Sequence, residues 1–175
     1  MIEIAKEFLQ DLQNVICRTL QGIDGEQEFT YRPQATINAG LSDPRILAGN
    51  GPIEKAAVNL THSIGDSLPE AVSASKRDIA GSPFEAVSLS LIVHPSNPFV
   101  PTTHMNLRLF VVKQDPVQWH FGGGYDLTPT YGFIEDAKYW HLGAQKSAGP
   151  YYNHMKEKCD EYFYLPHRDE HRGIG

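Results

Sequence analysis

The chain has 175 residues, 41% of them apolar and 21% charged, a balance that suits a packed soluble fold with one hydrophobic core. One domain over residues 1–175 is expected. The 15 basic residues against 21 acidic ones leave a net charge of −6, so the basic surface that dominates nucleic-acid binding is missing, although a local arginine cluster could still hold an anionic ligand.

At the N-terminus, Ile4, Phe8, Leu9, Leu12, Val15, Ile16 and Leu20 recur at helical spacing, and Gly22 and Gly25 follow as stop signals. An amphipathic scaffold helix is predicted over residues 2–21. Glu3, Lys6, Glu7 and Asp11 interrupt its apolar stretch, which argues against a signal peptide or membrane span and predicts a cytoplasmic protein. Cys17 and Cys159 lack any CxxC spacing and read as buried free thiols of a reducing compartment. Residues 33–52, with Pro33, Gly40, Pro44, Gly49, Gly51 and Pro52, read as a long loop.

Strands are predicted at 53–61, 84–94, 104–113 and 117–122, and helices at 133–146 and 151–164. Strands in the middle and helices at the ends predict an α+β domain with an antiparallel sheet. Alternation puts His104, Asn106 and Arg108 on one face of their strand and Met105, Leu107, Leu109 and Val111 on the other. On the preceding strand Val87, Leu89, Leu91 and Val93 form the apolar face, opposite Ser88, Ser90, Ile92 and His94. The connection PSNPFVPTT suits an antiparallel hairpin that brings His94 and His104 to the same end of the sheet. Spacing alone leaves two readings of this polar face, a ligand patch or a surface that meets solvent.

In HFGGGYDLTP, three consecutive glycines close a strand; they match neither a dinucleotide fingerprint nor a P-loop, and local pattern favours a β-bulge or sharp bend. His141 shares a stripe with Phe133, Ala137 and Trp140 and is expected to face inward as a hydrogen-bonded core residue. LPHRDEHRGIG sets His167 and His171 four apart, a weak metal signal without HExxH, and a solvated charged turn is the plainer reading.

Taken in order, HPSNPFVPTTHMNLR, FGGGYDLTPTYGF, the KYWH histidine and CDEYFYLPHRDEHRGIG resemble the signature blocks of oxygen-dependent coproporphyrinogen-III oxidases, with the similarity strong from about Phe84 to the last residue. The resemblance implies a large antiparallel sheet flanked by helices on both faces, incomplete at the C-terminus because the family continues beyond RGIG. It implies an enzyme of haem and porphyrin biosynthesis that converts coproporphyrinogen III to protoporphyrinogen IX by oxidative decarboxylation of two propionates. It further implies a homodimer, molecular oxygen as co-substrate, no organic cofactor, and in some bacterial relatives a divalent metal cation. By position, His104 corresponds to the proton donor, Ser90, Asn106, Leu107 and Arg108 to substrate contacts, and His94, His141 and His167 to metal ligands. Where the family has a glycine run followed by arginine, this chain has NAGLSDPRIL, which leaves Arg45 without a clear role. The alternative function is a non-catalytic tetrapyrrole-binding or dimerising relative that lacks the catalytic remainder.

Overall fold

The computed structural model describes residues 1–35, 40–68 and 79–175. Helix α1 (Ile2–Asp24) opens the chain and ends at Gly25, whose φ of 77° is left-handed and whose N–H donates to the Gln21 carbonyl at 2.8 Å. Two short strands, β1 (Thr30–Tyr31) and β2 (Gln34–Ala35), lead into β3 (Leu41–Ala48), β4 (Ile53–Gly65), β5 (Phe84–Pro95), β6 (Thr102–Val112) and β7 (Gln118–Thr128). Helices α2 (Ile134–Ala148) and α3 (Tyr152–Phe163) follow, separated by a 3₁₀ turn, and a small hairpin of β8 (Tyr164–Leu165) and β9 (Glu170–His171) comes last. Strands β3 to β7 form an antiparallel meander, with β1 and β2 both paired to the outer side of β3. The α+β class with a large antiparallel sheet is therefore as predicted.

The main correction concerns residues 33–52. Residues 36–39 lie outside the described set, but 41–48 form a regular strand paired with β4 along its whole length. Pro44 made this segment read as a loop, because a proline cannot donate to a ladder. The outer neighbour of β3 is broken at that point: β2 opposes Leu41 and Ser42, β1 opposes Arg45 and Ile46, and Pro44 falls in the gap. Its carbonyl still accepts from the Arg32 N–H at 3.3 Å. The last predicted strand also extends further, to Thr128, so the three glycines lie in an unbroken ladder with Arg108, Leu107 and Asn106 opposite rather than at a bulge or bend.

One face of the sheet is apolar and covered by α1. Leu9 and Cys17 from the helix are buried among Val58, Leu60, Val87, Leu89 and Leu109, as the strand alternation requires. Each fully buried aliphatic side chain here contributes about 1.5–3 kcal/mol. The helix is also held by polar contacts. Gln13 is wholly buried and its Nε2 donates to the carbonyls of Asp43 at 2.9 Å and Val58 at 3.1 Å. Arg45 is buried on this face, donates to Asn14 Oδ1 at 2.6 Å and pairs with Asp43 at 3.3 Å, so it locks α1 to β3.

Helices α2 and α3 meet the sheet at β7, where Trp140 packs edge-on against Tyr125 with ring centroids 5.1 Å apart. Ala137, Trp140, His141 and Ala144 are half-buried along α2, whereas Phe133, expected on the same stripe, is 45% exposed just before the helix. Cys17 is buried as expected, and Cys159 is half-buried. Among the described residues no helix is long and apolar enough to cross a membrane.

Candidate active site on the open sheet face

Antiparallel pairing puts directly opposed residues on the same face, so the register states what shares the surface away from α1. Ser88, Arg108 and Gly122 form one cross-strand row; Asn59, Ser90, Asn106 and Gly124 form the next; Ala57, Ile92, His104 and Asp126 form the third. His94 lies one row further, paired with Lys55, and is a diagonal neighbour of His104, as the hairpin reading predicted. Ser90, His94, His104, Asn106 and Arg108 therefore occupy one continuous polar face. Leu107 points the other way and packs on the core, so only its backbone is available to this surface.

The central feature is a histidine–aspartate pair. His104 Nδ1 lies 3.1 Å from Asp126 Oδ2, and the aspartate side chain is 4% exposed against 30% for the histidine. Thr128 Oγ1 donates to the same carboxylate oxygen at 2.9 Å, and Thr103 Oγ1 donates to the Asp126 carbonyl at 3.0 Å. A carboxylate at Nδ1 holds that nitrogen as the proton-bearing one and aims Nε2 away from the aspartate. Asp126 was not anticipated, because ending the strand at residue 122 hid its phase with Gly122 and Gly124. Continued alternation through GGGYD was the signal that could have found it.

Around this pair the face carries exposed polar side chains. Asn106 and Arg108 are exposed, and the Arg108 guanidinium makes no ion pair among the described residues, which leaves its fork free for a carboxylate. Beside them Gly122 and Gly124 lack side chains, and the space above them is bordered by the His120 ring and by Cys159 of α3. Asn59 links Ser42 and Thr61 at 3.3 and 3.2 Å and continues the polar surface toward β3. At the His94–His104 end, Phe99 from the β5–β6 connection packs on Tyr131 and Phe133 at centroid separations of 4.9 and 6.3 Å, forming an apolar rim. At the far end Phe84 stacks on Phe110 over buried Leu68, Ile79 and Val112.

The three histidines that resemblance suggested as metal ligands stand on separate elements. His94 is exposed on β5, His167 is exposed between β8 and β9, and His141 is half-buried on α2 with its ring 6.4 Å from Tyr152. Among the described residues no three His, Cys, Asp or Glu side chains gather closely enough to hold a metal ion. The described residues thus do not fit a metal within one copy. His141 is not the hydrogen-bonded core residue expected either: its Nδ1 and the Trp140 Nε1 are shielded without a partner among the described residues. Burial, with help from nearby Lys156, pushes the His141 imidazole below its ordinary value and keeps it neutral near pH 7.

On the opposite face lies a polar cluster that sequence reasoning missed. Glu85 accepts from Lys113 Nζ at 2.7 Å and lies 2.7 Å from His62 Nε2, and the lysine first, then the histidine, holds its carboxyl below the usual carboxylate range. It sits away from the His104 face, on the side of the sheet shared with Val87 and Val111.

The family model described as Coproporphyrinogen III oxidase matches residues 4–175 of the chain.

Proposed function

The chain belongs to the coproporphyrinogen III oxidase family, and from that premise we propose that its open sheet face carries the oxygen-dependent decarboxylation of coproporphyrinogen III to protoporphyrinogen IX. Each of two propionates loses its carboxyl group as carbon dioxide and a hydride equivalent from its methylene chain, leaving a vinyl group. Molecular oxygen accepts the two electrons and, with protons, leaves as hydrogen peroxide. No step is assigned to a metal.

The observation that carries this reading is the His104–Asp126 pair on the same sheet face as Arg108, which forms no ion pair among the described residues. Arg108 binds a propionate through its fork, with Asn106 and Ser90 supplying polar contacts beside it. His104, held by Asp126, is the proton donor at the reacting edge of the macrocycle. Coproporphyrinogen is the partner on this reading, and a homodimer, testable by sedimentation of the purified protein, is the proposed assembly.

The test is an anaerobic incubation of purified protein with coproporphyrinogen, followed by admission of oxygen. Vinyl product that forms only after oxygen enters, and that is lost in His104→Gln, is expected. Absence of oxygen-dependent product would refute catalysis by this chain, and tight tetrapyrrole binding in that same sample would establish the non-catalytic binding reading instead.

A further inference from the structure

Coproporphyrinogen carries four carboxylates, and Arg108 with its neighbours meets them at only one end of the sheet. Across the strands from His104, toward β1 and β3, the same face continues into a hollow of about 410 Å³, lined by Gln27, Glu28, Thr30, Arg32, Ile46 and Lys55 among others. Lys55 stands opposite His94 on one side and Ala48 on the other, which fixes it in the row beyond His104. Arg32 lines the hollow from the β1 side, where its N–H bonds the Pro44 carbonyl at 3.3 Å in the row of Asn59 and Asn106. Both side chains are exposed, and neither forms an ion pair among the described residues. Glu28 lines the same hollow without pairing to either, so the lining keeps a net positive charge.

The register gives the spacing. Arg108 opposes Ser88 and Lys55 opposes His94, six residues along β5. That is about 20 Å along the strands and, with β5 between β4 and β6, about 10 Å across them. His104 lies between, about 13 Å from Arg108 and about 12 Å from Lys55 by the same spacings. Long lysine and arginine side chains reaching inward from both ends shorten that gap to the scale of a macrocycle with its acidic arms extended.

We propose that Lys55 and Arg32 form a second carboxylate-binding corner that holds the far propionates of the substrate while Arg108 holds the near one. This rests on the reading of the face as a tetrapyrrole site. It adds a reason for specificity: a macrocycle with acidic arms on opposite sides engages both corners with His104 between them, whereas one with arms on a single side engages only one.

The experiment is fluorescence titration of the purified protein with coproporphyrin III, the oxidised tetracarboxylate, and with a porphyrin bearing only two adjacent carboxylates. Lys55→Gln and Arg32→Gln should each weaken tetracarboxylate binding about tenfold and the dicarboxylate about twofold or less. Lys55→Arg, which keeps the charge, should restore binding. Because the corners lie far apart, the losses from Lys55→Gln and Arg108→Gln should multiply in the double variant. Circular dichroism confirms that the variants remain folded. If wild type binds and Arg108→Gln weakens it while Lys55→Gln and Arg32→Gln do not, the second corner is overturned and the tetrapyrrole reading stands. Equal losses for both porphyrins would also overturn it, since a general positive field would then explain the effect. If wild type binds neither porphyrin, both readings fall.

Discussion

Placing one methyl group at two adjacent glycines separates what the fold requires from what the site requires. A Cβ built at Gly123 overlaps the Asn106 carbonyl oxygen and closes to 3.0 Å on Leu107 Cα, both of them backbone atoms. The clash cannot be relieved by turning a side chain, so the β6–β7 ladder must shift at the residues that carry Asn106 and Arg108. Overpacking of this kind costs about 1–3 kcal/mol, which for a chain of this size lowers the melting temperature by about 3–10 °C. At Gly124 the nearest atom to an added Cβ is Cys159 Sγ at 3.7 Å, an ordinary contact. Gly124→Ala should therefore keep wild-type stability within about 0.5 kcal/mol. Its methyl stands in the row of Asn106, where Cys159 of α3 borders the proposed substrate surface, and should weaken porphyrin binding by about tenfold or less. Thermal and urea unfolding followed by circular dichroism, beside a porphyrin titration, measures both. Equal stability of Gly123→Ala and wild type, or equal destabilisation by the two variants, would refute the argument.

Three further outcomes follow from the same geometry. Asp126→Ala should reduce turnover about 10²-fold by freeing the His104 ring, and combining it with His104→Gln should cost little more than His104→Gln alone, because the two act as one unit; independent losses in steady-state kinetics would contradict this. Arg108→Lys, which keeps charge but loses the fork, should weaken coproporphyrin binding by less than Arg108→Gln yet measurably from wild type, and a titration in which lysine fully replaces arginine would remove the bidentate role. Glu85 has a folded-state pKa below its unfolded one, so its contribution is complete above the unfolded carboxylate range and is lost as pH falls through the folded value. Urea midpoints measured from pH 7 down to about pH 3 should decline less steeply in Glu85→Gln, and an unchanged slope would show the Lys113–Glu85–His62 cluster to be energetically idle.

Much of the sheet was legible because alternation is a local signal: each polar residue from Ser88 to Arg108 betrays its face through its apolar neighbours. Register follows from that pattern too, since a slip of one residue would turn Leu107 and Leu89 to the open side. What local pattern cannot report is a partner strand. Pro44 reads as a breaker unless one knows that β1 and β2 leave a gap at its level. The glycines read as a bend because their lack of side chains erases alternation, and Asp126 vanished with the strand that was ended too soon. Likewise, Arg45 could not be placed from its neighbours in sequence: its partners Asn14 and Asp43 come from a helix and from its own strand, and the register with Val58 turns it toward α1.

The two faces of the sheet are mechanically one object, which explains how an open surface can hold reacting groups in place. Arg108 is exposed and His104 half-buried, but Leu107 lies between them and Leu109 follows, both packed toward the core beneath. That core is clamped in turn by Gln13, whose amide reaches the carbonyls of both β3 and β4. Backbone position on the exposed side is thus set by burial on the other, at alternate residues of the same strand. On the proposed function, the long side chains that meet the carboxylates can remain solvated until substrate arrives, whereas an imidazole that transfers a proton needs a fixed ring. His104 is the one residue of the expected polar set given a buried carboxylate partner, and that difference in restraint matches the difference between binding an anion and handing over a proton.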